Sequence, residues 1–401
     1  MDRINELSDH LLVKILSFVP TKVSVSTSIL SKRWEFLWMW VPKLEYIDYE
    51  DVTDFSQSHY EDPHYEDVID FSQSHYEDVT GSSQPSILRY RDFINQNLPL
   101  HKAPIIESLR LRFLSALFRH ADLNLWVEIA VSRCVRELEL CIDHDSVLPN
   151  SLYTCKSLVT LKLQGKNVLV DVPGTVCLPS LKTLELKRVA YFNEDSLRLL
   201  LSCCPVLEDL VIFRDDEPDN LKVLVVTVPS LQRLWIINSC SSGDCVIDTP
   251  SLKYFEVEDH RDSFSYSIKH MTKLEEAYIS VKKAMYHAGI VFDQLEHLKL
   301  SVMKNDWSKL LFRLLNDSPK LQVLSLSVFG FFVDQEQISW SIEQSSIPKC
   351  LLKSFETFEF RGYYKGGLEE RDILSFLFKH DVMFRSLETL CNHYFSGCLK
   401  L

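Results

Sequence analysis

The sequence predicts an α+β protein: a three-helix N-terminal module, then an irregular α/β repeat solenoid, then a C-terminal cap. Three observations carry this prediction. Apolar residues recur at three- and four-residue steps near the N terminus, an apolar-x-x-apolar-x-apolar unit recurs through the middle, and a strand-then-helix pattern follows the last repeat.

In the first module, Leu11, Leu12, Ile15, Leu16 and Val19 place an apolar stripe on one helix face. Ser8 is suited to cap the start. Pro20 stops the helix, because the residue before proline avoids the helical region. Thr21 offers a cap for a short second helix through Val23, Val25 and Ser26. A third helix is expected from Ser31 to about Trp40, with Trp34, Leu37 and Trp38 on one face and Lys32, Arg33 and Glu35 wet. Helices this short are marginal alone, so packing must stabilise them. A module this small is expected to contact a partner or the following domain.

A direct duplication comes next. Residues 49–64 are followed by a near copy at 65–80 that differs only at Thr53/Ile69, Pro63/Val79 and His64/Thr80. The unit is too short and polar to stack, and it reads as an exposed loop, where added length costs little closure entropy. Its Asp, Glu and His residues lack the spacing and turn glycine of a calcium loop and the pattern of a zinc site, so no metal is expected there.

From near residue 105 the period changes. Leu158-x-x-Leu161-x-Leu163 is the first clear unit, and later units open at Leu181, Leu207, Leu231, Leu252, Leu274, Leu295 and Leu321. Successive first residues lie 21 to 26 positions apart, the range of leucine-rich repeats. Alternate residues of each short strand point inward, and stacking of neighbours completes a core that one strand cannot bury. Outer helices are expected at Asp195–Cys204, before Pro205, and at Trp307–Asn316, before Pro319. Binding is expected on exposed strand positions and loops. The candidates are Arg214, Asp215, Asp216 and Glu217; Glu256, Glu258, Asp259, His260 and Arg261; and Lys282, Lys283, Tyr286 and His287.

At the C-terminal end, Phe355, Phe358 and Phe360 can continue the repeat core. Gly366-Gly367 provides a turn before an amphipathic helix at Leu368–Phe378, and the whole reads as a packing cap. Cys391, His393 and Cys398 are too few to specify a metal site. The expected divisions are 1–45, an acidic linker at 46–100, the repeats at 101–340 and the terminal region at 341–401.

The stretch from Asp2 to Leu44 closely resembles a plant F-box. The resemblance rests on Leu7-Ser8-Asp9-His10-Leu11-Leu12, Leu16 to Lys22, Ser28 to Trp34 and Leu37-Trp38. It implies binding to a Skp1-like adaptor and, through it, to a cullin–RING ubiquitin ligase. Leu7, Leu11, Leu12, Pro20 and Leu30 fall at adaptor-facing positions by this resemblance, while Ile15, Leu16, Trp34 and Trp38 hold the module together. Lys14, Lys22 and Lys32 would rim the apolar patch and help to orient a partner. Pro348-Lys349-Cys350-Leu351-Leu352, Phe358-x-Phe360-x-Gly362-Tyr363 and Glu369-Glu370-Arg371 resemble the FBD region found after leucine-rich repeats in plant F-box proteins.

Composition narrows the function. The chain has 401 residues, is 46% hydrophobic and carries a formal charge of -13. It can bury a substantial core but is a poor match to a phosphate backbone, so no nucleic-acid partner is expected. There is no signal-like start and no apolar run of membrane length, so a cytoplasmic or nuclear location without a membrane partner is expected. The eleven cysteines contain no Cys-x-x-Cys pair and read as buried thiols. No phosphate loop, zinc-protease motif or nucleophile elbow is present, so neither catalysis nor a cofactor is expected. The expectation is a substrate-recognition subunit of a Skp1–cullin–F-box ligase with an unidentified protein substrate. The alternative is a leucine-rich scaffold without productive ligase assembly.

Overall fold

The protein is described by a computed structural model. It covers residues 3–47, 84–113, 120–142, 146–166, 168–215, 219–239, 243–259, 261, 265–269, 271–281, 291–302, 307–328, 348–362 and 386–388. The duplicated segment, Tyr363, the expected helix at 368–378 and the terminal Cys391, His393 and Cys398 lie outside the described residues. The chain divides into two compact units, Met1–Leu181 with Arg188–Ala190, and Lys182–Lys187 with Tyr191–Leu401.

In the first unit the order is α1 (Asp9–Leu16), α2 (Thr21–Ser26), β1 (Lys43–Ile47), α3 (Gln84–Asn97), β2 (Ser108–Phe113), α4 (His120–Ser132), β3 (Glu137–Ile142), β4 (Ser146–Val147), β5 (Thr160–Gln164) and β6 (Val168–Val170). Strands β1, β2, β3 and β5 pair in parallel, so the end of the N-terminal module is itself the first strand of a sheet. Alternation sets the strand faces: Leu44 and Tyr46 of β1 are buried, as are Leu109, Leu111 and Phe113 of β2. Helix α4 buries Leu123, Trp126, Val127 and Ala130, the three- and four-residue steps of one helix face. The Trp126 indole N–H donates to Asn95 Oδ1 at 2.8 Å, and the Asn95 amide donates to Asp122 Oδ1 at 3.1 Å, tying α4 to α3.

The expected third helix is not an α-helix. Residues 32–36 form turns and Leu37–Trp40 a 3-10 turn, with Phe36 at φ -121°, ψ 1° breaking the run. The reason lies in the burial demand. Leu37, Trp38 and Met39 are consecutive and all buried, and one α-helical face cannot bury three successive residues. Thr21 also differs from expectation. Pro20 is the N-cap of α2, and the Thr21 hydroxyl instead accepts the Glu45 amide at 2.8 Å, joining α2 to β1.

The second unit contains β7 (Thr183–Lys187), α5 (Glu194–Ser202), β9 (Asp209–Arg214), β10 (Val223–Thr227), β11 (Arg233–Asn238), β12 (Asp244–Asp248), β13 (Tyr254–Asp259), β14 (Tyr266–Lys269), β15 (Glu276–Val281), β16 (His297–Val302), α6 (Trp307–Asp317), β17 (Val323–Val328), α7 (Lys349–Lys353), β18 (Thr357–Gly362) and β19 (Ser386–Glu388), with β8 (Ala190–Tyr191) at its start. Strands β7, β9, β11, β13, β15, β16, β17, β18 and β19 form one parallel series. A second parallel sheet contains β10, β12 and β14. An α/β solenoid was expected for the repeats themselves; the parallel ladders correct only the α+β class expected for the chain as a whole. Each repeat returns the chain to the start of its strand, so neighbours run in the same direction.

The repeat leucines fall in register. Leu184, Leu210, Leu234, Phe255, Ala277, Leu298, Leu324 and Phe358 stack as buried partners on successive strands. A tight turn sets each opening leucine: the amides of Leu231, Leu252, Leu274, Leu295 and Leu321 donate to the carbonyl three residues before. Helix α5 is closed by Asn193, whose Oδ1 accepts the Asp195 amide at 2.9 Å, and it packs against β10. Phe355, Phe358 and Phe360 are buried, extending the leucine layer into β18. No helix among the described residues is long and apolar enough to cross a membrane.

Candidate functional site

Two surfaces can meet partners. The first is on the N-terminal module, where Leu12, Leu16, Trp34, Leu37 and Val41 form a core with Leu7, Val13 and Val19 packed against it. Having filled that core, the module leaves large apolar side chains in water. Leu11 is 44% exposed, Phe18 80%, Ile29 85% and Leu30 66%. Leu11, Ile15 and Phe18 are spaced at four and three residues, so they share one edge of α1 and the turn after it.

The entry to α1 is held by Arg33. Its Nε and Nη2 donate to Asp9 Oδ1 at 2.9 and 2.8 Å, and Nη2 also donates to the Leu7 carbonyl. The Leu11 amide donates to Ser8 Oγ at 3.5 Å, a long version of the expected cap.

Two of the predicted roles change here. Leu12, expected to face the adaptor, is fully buried, while Ile15, expected in the core, is exposed. Leu12 shares its helix face with Leu16, and that face meets Trp34. Ile15 shares its face with Leu11. Leu7 and Pro20 are half-buried, whereas Leu16, Trp34 and Trp38 are buried. The Trp38 indole N–H donates to the Glu35 carbonyl at 3.2 Å.

The second surface is the face of the repeat sheet opposite the leucine layer. Burial corrects three predicted contacts, Arg214, Asp259 and Arg261. Arg214 follows buried Ile212 by two positions and therefore points inward, where its Nε and Nη2 meet the Asp219 carboxylate at 2.6 and 2.8 Å and Nη2 meets the Leu221 carbonyl at 3.0 Å. Arg261 is likewise buried. It binds Asp259 and donates to the Gly243 carbonyl at 2.7 Å, while the Tyr266 hydroxyl donates to Asp259 at 2.9 Å. These charges are structural, because burying them requires such partners. Asp215, Glu256 and Glu258 are half-buried. Asp216, Glu217, His260, Lys282, Lys283, Tyr286 and His287 lie outside the described residues.

Comparison with known proteins is specific on family. An F-box domain matches at residues 4–46, the "FBD-associated F-box protein At5g56370, LRR repeats" family at 123–276, and an FBD at 343–381. The chain is 49% identical to FBD-associated F-box protein At5g60610 of Arabidopsis thaliana, over 94% of this chain and 97% of that one. It is 51% identical to putative FBD-associated F-box protein At5g56700 of the same plant, over 97% and 98%. The chain belongs to the plant FBD-associated F-box proteins. A third relative, putative F-box/FBD/LRR-repeat protein At5g62970, is 43% identical over 94% of this chain.

In this F-box/FBD protein the apolar residues that sequence reading passed over are Phe18 and Ile29 on the module, and Phe213, Trp235, Tyr254 and Tyr278 on the repeat sheet. The signal for the second group was present. Phe213, Trp235 and Tyr278 fall next to buried residues of the leucine layer, and Tyr254 precedes buried Phe255, so alternation turns all four outward.

Proposed function

We propose that this F-box protein is the non-catalytic substrate-recognition subunit of a Skp1–cullin–F-box ubiquitin ligase. The observation that carries the reading is the exposure of Phe18, Ile29, Leu30 and Leu11 around a core that is already filled. Large apolar side chains left in water on so small a module suit a protein partner. The adaptor-facing set is Leu7, Leu11, Ile15, Phe18, Pro20, Ile29 and Leu30. Burial of these side chains supplies affinity, and Lys14, Lys22 and Lys32 assist orientation.

The outward face of the repeats selects the substrate. Holding substrate and ligase on one chain raises their effective concentration, so the subunit promotes ubiquitin transfer without reacting itself. Reconstitution tests this. Mixed with a plant Skp1-like adaptor and a cullin–RING core, the full chain is expected to elute in one assembly. A folded chain that elutes apart from the adaptor and cullin overturns the reading.

A further inference from the structure

The outward face of the repeat sheet in the second unit has a definite chemical character around β11, β13 and β15. Trp235, Glu256, Tyr278 and Lys299 are successive register partners on β11, β13, β15 and β16. In the adjoining row, Tyr254 on β13 is the partner of Glu276 on β15. The rings of Trp235 and Tyr254 lie 5.1 Å apart at 43°, and the Tyr254 hydroxyl donates to Glu256 Oε2 at 2.5 Å. Two aromatic rings and a carboxylate are thereby fixed as one unit. Val211 and Ile237 flank Trp235 with further half-buried apolar surface.

Around the Trp235–Tyr254 pair carboxylates outnumber free cations, because Arg233, the other register partner of Tyr254, is held by Asp209. Glu256 and Glu276 make no ion pair among the described residues. Burial, then the nearby carboxylates of Glu256 and Glu276, push the Tyr254 hydroxyl above its ordinary range, the response expected where negative potential gathers. The protein itself places a cation on this row: the Lys299 ammonium lies 4.5 Å from the centroid of the Tyr278 ring.

We infer that this face binds a segment of a protein substrate in which an arginine stands beside an apolar side chain. The inference rests on the substrate-receptor reading and names the substrate chemistry. The apolar side chain packs against Val211, Trp235 and Ile237. The guanidinium lies over the Trp235–Tyr254 pair and meets Glu256 and Glu276. Arginine fits better than lysine because a planar guanidinium can stack on a ring while donating a fork to a carboxylate. An acidic segment is disfavoured by the same two carboxylates.

The test uses the full chain and three libraries of capped, fluorescent nonapeptides. Each has leucine next to a fixed central residue, either arginine, its neutral isostere citrulline or glutamate, with the other positions randomised. The arginine library is expected to bind about tenfold more tightly than the citrulline library, and the glutamate library more weakly still. Added salt should narrow the difference. A Glu256→Gln/Glu276→Gln variant, checked for unchanged thermal unfolding, should lose the arginine preference. Equal binding of arginine and citrulline libraries, no binding of the arginine library to the folded wild type, or a preference that survives the double substitution would overturn the inference. Adaptor binding measured on the same samples separates the two ideas. A chain that binds adaptor without preferring arginine ends this inference alone, whereas a chain that prefers arginine without binding adaptor ends the ligase reading.

Discussion

At the residue scale, neighbouring side chains of one type have separable roles. Leu12 is enclosed by Leu16, Trp34 and Leu37, whereas Leu30 projects into water. Leu12→Ala is expected to destabilise the protein by about 2–5 kcal/mol, through lost transfer energy and the cavity left behind. Leu30→Ala should shift stability by no more than about 0.5 kcal/mol, as expected for an exposed site, yet weaken adaptor binding. Urea unfolding of the two variants, alongside adaptor titrations, checks this, and equal stability losses would contradict it. Arg214 gives a second case. Removing it strands Asp219 in a dry site, so Arg214→Ala should cost about 3–5 kcal/mol, with no change in substrate affinity beyond that due to unfolding. The sequence shows Arg214 and Arg261 as charges and suggests exposure. The inward parity of Arg214 becomes legible only when its strand is counted from buried Ile212, whereas Arg261 lies past the end of its strand and is drawn in by Asp259.

At the element scale, His101 and Gly243 are informative. His101 follows a 3-10 turn and is buried, with its ring edge-on to Trp38 at 5.4 Å. Burial, reinforced by Arg133, lowers its pKa from 6.5 to about 4. Between those two values the unfolded chain takes up a proton that the folded chain excludes, so stability falls as pH falls. The contribution is complete above pH 6.5 and gone below about 4, with a difference on the order of 3 kcal/mol across the window. Urea unfolding from pH 7 to 4 should show a shallower pH dependence in His101→Phe than in the wild type, and identical slopes would refute the assignment.

Gly243, at the turn into β12, has φ 109°, and a Cβ there would stand 2.6 Å from the Lys222 carbonyl oxygen. Its own carbonyl accepts from Arg261. Gly243→Ala is therefore expected to lower the melting temperature by disturbing both the turn and the buried Arg261–Asp259 pair, and an unchanged melt would contradict this. Helices with clear caps and stops were legible: the expected Trp307–Asn316 is found as Trp307–Asp317, and Asp195–Cys204 as Glu194–Ser202. The third helix of the module was not. Trp34, Leu37 and Trp38 fit a helical period, but burial of Met39 beside them selects the tighter turn.

At the scale of the whole molecule, the repeat period made the solenoid legible because every unit must present leucines at the same places to bury a shared layer. Parallel pairing followed from that repetition, although the α+β label did not express it. The partner surfaces were less legible. Sequence marks what must be buried more firmly than what must bind: alternation turns half-buried Trp235 and Tyr254 outward without saying what they meet, and exposed Ile29 lies in a short turn with no period to place it. Under the proposed function one chain carries two tasks: capture of an adaptor by the F-box and choice of a substrate by the repeats.

The first task is the one on which the ligase reading depends. The most direct measurement is calorimetric titration of the full chain with a plant Skp1-like adaptor, comparing wild type with a folded Phe18→Ala/Leu30→Ala variant. Saturable binding, weakened at least about tenfold in the variant at unchanged stability, is the predicted result. No binding by a folded wild type, or equal binding by both, would contradict the account.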